Sequence, residues 1–175
     1  MSVHGRLSDE AAAKILSQAV PIATRPGASP VPVRRVEGVD QEGRAVEIDV
    51  ARGPGRTLLL FVSPSCQGCL DLFLAARAAT GLGLREGDAV VLIVKEPSTA
   101  LKDLVGDVVT VIAPEAWANY QVTGPPFFAW IDPGCSTVAT EGVAWGAASI
   151  ASAIAAFDAG SPALEVSRLK APEET

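Results

Sequence analysis

Leu58–Cys69 reads LLLFVSPSCQGC, an apolar run that closes on a short polar turn and delivers two cysteines in CxxC spacing. A row of Leu, Phe and Val with no polar residue alternating suits a strand buried on both faces, as in a parallel or mixed sheet. Directly after Cys69 comes LDLFLAARAAT, with Leu70, Phe73, Leu74 and Arg77 at helical spacing among good helix formers. The pair is therefore predicted at a junction between strand and helix. Cys66 falls near the helix start, where unpaired amide donors favour a thiolate.

The 175 residues suffice for one domain with a sizeable core and are too few for two substantial ones. A hydrophobic fraction of 49% against 19% charged residues fits a compact chain and excludes a disordered one. Net charge is -6, with no run of Lys or Arg. Nucleic acid is thus not expected as a partner, because phosphate binding needs a concentrated basic surface. Three cysteines are too few for a disulfide scaffold, so Cys66 and Cys69 need a reason other than stapling. No stretch approaches about 18 consecutive apolar residues, the length a membrane span needs. The N-terminus does not show a basic stretch, apolar core and cleavage site in signal-peptide order. Two locations stay open: the cytoplasm, or an extracytoplasmic or membrane-anchored setting if the chain is cut from a longer precursor.

Outward from the central stretch, residues 1–35 read as an N-terminal helix and an extended connector. The helix is AAAKILSQAV, capped by Ser8–Glu10 and ended by Pro21. Residues 36–160 form the domain proper, and 161–175 a loosely held tail. Val36–Val50 holds two short alternating segments around Glu42-Gly43, predicting a hairpin. Strands are predicted at Thr57–Val62, Ala89–Val94, Val108–Ile112, Phe127–Ile131 and Thr137–Glu141. A short helix carrying Leu101 and Leu104 is expected to take Ser98 as its cap. Pro114 opens another with Trp117 and Tyr120, and Ala147–Phe157 presents Ile150, Ile154 and Phe157 at helical spacing. This alternation argues for an α/β sandwich.

A lone CxxC has three readings: half of a zinc site, a redox pair, or two ordinary core cysteines. Zinc normally takes three or four protein ligands, and the only further Cys or His candidates are Cys135 and His4. The strand–turn–CxxC–helix context favours redox chemistry. In that reading Cys66, nearer the helix start and more exposed, attacks a partner disulfide. Cys69 then resolves the mixed disulfide. Gln67 and Gly68 bring no charge, and a turn able to enter a helix accounts for both.

On these residues the chain resembles the thioredoxin superfamily, in particular its TlpA-like and MauD-like thiol-disulfide oxidoreductases. SPSCQGC is similar to the MauD-like style of active site, with Ser65 where thioredoxins have Trp. DQEGRAVEIDVARGPGRTLLLFVSPSCQGC resembles the order of hairpin, strand and CxxC in that branch. The likeness covers residues of about 37–158. It implies a thioredoxin-like α/β fold, a central mixed sheet flanked by helices on both faces. It also implies a monomer acting on a protein dithiol or disulfide, with no organic cofactor and no metal. VTGPPFF at Val122–Phe128 matches the segment where the family places a cis-proline facing the cysteines, which puts that bond at Pro125–Pro126. Ser65, Gln67, Gly68, Thr123, Gly124, Pro125 and Pro126 would then form the substrate groove and support the site. Pro125 departs from the pattern, since it has no amide hydrogen to donate to a bound peptide. Leu60 departs as well, standing where thioredoxins carry a buried acid that assists the resolving thiol. Lys95 and Glu96, ending the neighbouring strand, are possible helpers or simply a polar pair closing it.

Two other classes compete. A peroxiredoxin-like peroxidase shares the general fold, but its T-x-x-C pattern is met here only by Ser63. A thioredoxin-fold binding or chaperone module would keep its cysteines for structure alone. Cys135 reads as a small residue in the turn DPGCS, and His4 as incidental. Trp117, Tyr120, Trp130 and Trp145 read as core and groove packing, with Trp117 and Tyr120 bordering the groove.

Overall fold

The computed structural model describes residues 30–160. The predicted N-terminal helix and the tail lie outside the described residues. A buried strand must pair its backbone groups on both sides, and β3 (Thr57–Phe61) does so. It runs parallel to β4 (Ala89–Val94), with Leu60 beside Leu92. On its other side it runs antiparallel to β6 (Phe127–Ile131), with Leu60 beside Phe128. The remaining strands are β1 (Val36–Val39), β2 (Ala45–Ile48), β5 (Thr110–Ile112) and β7 (Thr140–Val143). Together they form one mixed sheet in the order β2-β1-β5-β4-β3-β6-β7.

Alternation along β3 splits the core in two. Leu58, Leu60 and Val62 pack with Phe73 of α1 (Leu70–Ala78), Leu101 of α2 (Leu101–Val105) and Ile150 of α4 (Ala147–Asp158). Leu59 and Phe61 pack on the opposite face with Trp117 of α3 (Pro114–Asn119) and with Tyr120. Phe61 meets Trp117 edge-on, with ring centroids 5.4 Å apart. Helices thus cover both faces, as the sequence predicts.

Three local expectations need correction. Ser98 does not cap α2 with its side chain. Ala100 holds the N-cap without a side-chain bond, and the Ser98 carbonyl accepts the Leu101 N–H at 3.1 Å. The third-last strand begins at Thr110, because Val108 still belongs to the turn leaving α2, its N–H bonded to the Val105 carbonyl. The last strand is Thr140–Val143 rather than Thr137–Glu141. Residues 136–138 pair instead with the incoming connector. Val33 donates to the Ser136 carbonyl and Val138 to the Val31 carbonyl, both at 2.9 Å, and Pro32 bridges Thr137.

The β1–β2 hairpin joins the rest of the sheet through one registered pair, Val39 with Ile112. Gly38 is required at this crossing, since a Cβ there would overlap the Ile112 carbonyl. The Tyr120 hydroxyl adds a clip, donating to the Arg34 carbonyl at 2.6 Å and accepting the Arg34 N–H at 3.2 Å.

At the opposite end of β3, Arg56 grips Asp88 through two hydrogen bonds of 2.8 and 3.1 Å. It also holds Asp158 at the end of α4 at 2.8 Å, and Arg85 reaches the same carboxylate at 2.7 Å. The guanidinium lies 4.8 Å from the centre of the Trp130 ring. Burial alone would raise the Asp88 carboxyl, but hydrogen bonds from the Arg56 side chain and the Arg85 amide outweigh it and hold it below the ordinary range. A depressed native value contributes stability above the unfolded carboxylate range and loses it as pH falls through the native value. Asp88→Asn should therefore lower stability near neutral pH by about 2–3 kcal/mol, between the worth of exposed and fully buried pairs. Denaturant titrations should show its gap from the native protein closing below about pH 4.

Candidate functional site

The buried run of β3 continues to Val62, whose N–H bonds to the Ile93 carbonyl at 3.1 Å. The chain then leaves the sheet. The Ser63 carbonyl accepts the Cys66 N–H at 3.1 Å, and the hydroxyls of Ser63 and Ser65 share a 2.9 Å hydrogen bond. Cys66 takes the N-cap of a 3₁₀ turn over Gln67–Cys69 that runs straight into α1. The Cys69 N–H closes the turn on the Cys66 carbonyl at 3.0 Å.

That single turn gives the two sulfurs different surroundings. Cys66 is half-buried, and Cys69 is fully buried in the apolar cluster that contains Leu60, Leu72 and Phe128. Burial first, and then the hydrogen bond with Cys66, push the Cys69 thiol up to about 12, against a smaller opposing pull from the Ser63 backbone. Both cysteines are free thiols. Among the described residues no group of three or more His, Cys, Asp or Glu side chains is arranged to hold a metal ion.

The Pro125–Pro126 bond is cis. The Pro126 ring packs over Gly68, with Cγ and Cδ 3.8 and 3.9 Å from where a Cβ on that glycine would sit. The prolines and the cysteine pair therefore share one rim of the sheet. A cleft of about 550 Å³ opens beside them, walled by Ser65, Lys95, Glu96, Trp117 and Pro125 among others. The Lys95 ammonium lies 4.7 Å from the centre of the Trp117 ring. Of the expected groove residues, Ser65 and Pro125 line this cleft. Gln67, Gly68, Thr123, Gly124 and Pro126 are not part of its wall.

Tyr120 does not border the groove. It is fully buried, and its hydroxyl is engaged by Arg34. Trp145 is not packing either, for it stands 81% exposed. Continuing the Phe127–Val143 register sets Trp145 across from Pro125, and the Ala144 N–H bonds the Pro126 carbonyl at 3.0 Å. Cys135 is exposed in its turn, and His4 lies outside the described residues.

No protein-family model and no curated protein matches this sequence. Solved structures match its fold. A thiol:disulfide interchange protein from Bacteroides sp. is 14% identical with a TM-score of 0.58, over 77% of this chain and 92% of that one. Peroxidoxin BcpB from Mycobacterium tuberculosis is 17% identical with a TM-score of 0.58, over 75% of this chain and 96% of that one. A thiol:disulfide interchange protein of the thioredoxin family from Chlorobium tepidum is 18% identical with a TM-score of 0.53, over 74% of this chain and 98% of that one. At such identities the likeness establishes architecture: the protein has the thioredoxin fold. A closely spaced cysteine pair at the end of its central strand is consistent with a redox-active dithiol/disulfide site.

Thiolate, not thiol, reacts with alkylating agents. With its pKa pushed to about 12, Cys69 should resist iodoacetamide in the folded, reduced protein across about pH 7–9. Peptide mapping should find Cys66 and Cys135 labelled under these conditions and Cys69 labelled only after unfolding. Equal labelling of Cys66 and Cys69 in the folded protein would contradict the asymmetry.

Proposed function

We propose that the protein is a thiol-disulfide oxidoreductase of the TlpA-like or MauD-like kind, which reduces a disulfide in a partner protein. Cys66 and Cys69 carry this reading. One sulfur is half-buried at a helix cap beside the cleft, and the other is held protonated in the core a single turn away. Cys66, as thiolate, attacks one sulfur of the partner disulfide. The partner's S–S bond breaks, a Cys66–partner S–S bond forms, and the second partner sulfur leaves as a thiolate. Cys69 then gives up its proton and attacks the Cys66 sulfur. The Cys66–Cys69 disulfide forms and the first partner sulfur departs. Two electrons pass to the partner, and a dithiol reductant resets the pair.

Pro126 and Ser65 frame the approach to Cys66, while Gln67 and Gly68 supply the turn into α1. Thr123 and Gly124 position the proline pair. Residues 36–160 act as the thioredoxin-like unit in this scheme. A peroxidoxin among the fold matches makes a peroxidase the natural control. The buried partner thiol one turn from Cys66 favours disulfide exchange instead.

Reduced protein mixed with insulin and a dithiol should precipitate the insulin chains, and Cys66→Ser should abolish this. Cys69→Ser should accumulate a mixed disulfide on Cys66, visible by mass spectrometry. Rapid consumption of hydrogen peroxide without insulin reduction would move the assignment to a peroxidase.

Leu60 itself offers Cys69 no proton acceptor, since its apolar side chain is fully buried in the same cluster. Leu60→Asp should speed resolution of a preformed mixed disulfide in stopped flow and cost about 2 kcal/mol or more of stability, because an unpaired acid is buried. Identical rates over about pH 6–9 would show that the Cys69 proton already has another route, with Lys95, Glu96 or water as the acceptor.

A further inference from the structure

Tryptophan is seldom left in water, because its ring carries a large apolar surface. Trp145 is 81% exposed, and Val143, two residues earlier on the edge strand, is 41% exposed, with Ala144 buried between them. The alternation of β7 thus carries past its end and turns the indole outward. The Ala144–Pro126 hydrogen bond and the Phe127–Val143 register set the Trp145 backbone across from Pro125, at the end of the sheet whose rim holds the cysteine pair.

The same rim is poor in backbone donors. Pro125 and Pro126 are adjacent and neither has an N–H, and the Pro126 carbonyl is already taken by Ala144. A partner segment arriving at Cys66 therefore meets no main-chain donor at these two positions. Main-chain pairing there is left to acceptors such as the Pro125 carbonyl, so side chains carry more of the binding, and on the Ala144 side the large apolar surface on offer is Trp145.

We propose that Trp145 is the docking anchor for the partner protein, seating an apolar side chain that flanks the partner's disulfide while Cys66 attacks it. This rests on the disulfide-exchange reading above. An exposed aromatic ring at the sheet end that carries a reactive group has the character of an interface hot spot, enriched in Trp and costly to truncate. A small polar disulfide has no apolar flank to seat and gains nothing from the anchor.

The test compares single-turnover rates of the reduced protein with insulin and with oxidised glutathione. Trp145→Ala should slow the reaction with insulin by about tenfold, a typical hot-spot loss, and that with oxidised glutathione by less than about twofold. Trp145→Phe should retain most of the insulin rate. Thermal unfolding of both variants should match the parent, since the ring packs against little. An unchanged insulin rate in Trp145→Ala, or an equal loss with both disulfides, would overturn the anchor and leave the exchange chemistry standing. A parent protein inert to both disulfides would instead remove the exchange reading and the anchor with it.

Discussion

Strand β3 has no face and no edge open to water, and the rest of the structure follows from that. Its five residues are buried in succession and hydrogen-bonded on both sides. Each buried Leu or Phe is worth about 1.5–3 kcal/mol, which makes this short segment a dense source of stability. A strand so confined can end only where the sheet ends. Its C-terminal end therefore becomes a fixed rim, and the next residues to escape burial are Ser63–Cys66.

The chemistry of that rim is set by depth more than by charge. No Lys, Arg or acid lies between the cysteines, and what separates the two thiols is one 3₁₀ turn. It carries the chain from the rim back into the core before α1 begins. Cys69 shares its cluster with Leu60, whose side chain keeps the interior dry. The same burial that pushes the Cys69 thiol up also surrounds it with apolar side chains that carry no base. A thiol stored in this way is protected from casual oxidation.

The sequence made the central architecture readable because its strongest signals were local and redundant. LLLF, AVVLIV and FFAWI are each apolar throughout, and such runs have few alternatives to central strands. CQGC followed by a helical pattern placed the site at one strand end. What escaped the sequence depended on contacts between distant segments. Residues 31–33 read as connector because Pro and Val there show no period, yet they take the pairing that would have started the last strand at Thr137. Ser98 looked like a cap, but the helix begins two residues further on. Trp145 looked like core because tryptophan usually is. Only the register against β6 reveals that it falls beyond the strand, where no helix covers it.

The hairpin at the other edge has a bearing on how the chain acquires its shape. β1 meets β5 at Val39–Ile112, across the bare backbone of Gly38, and the Arg34–Tyr120 clip spans 86 residues. During synthesis from the N-terminus the hairpin is complete long before either docking partner exists. It must wait as a two-stranded ribbon, which is marginal in water by itself. β3 and β4 can pair meanwhile, so the first part of the domain to be made need not be the first to be joined.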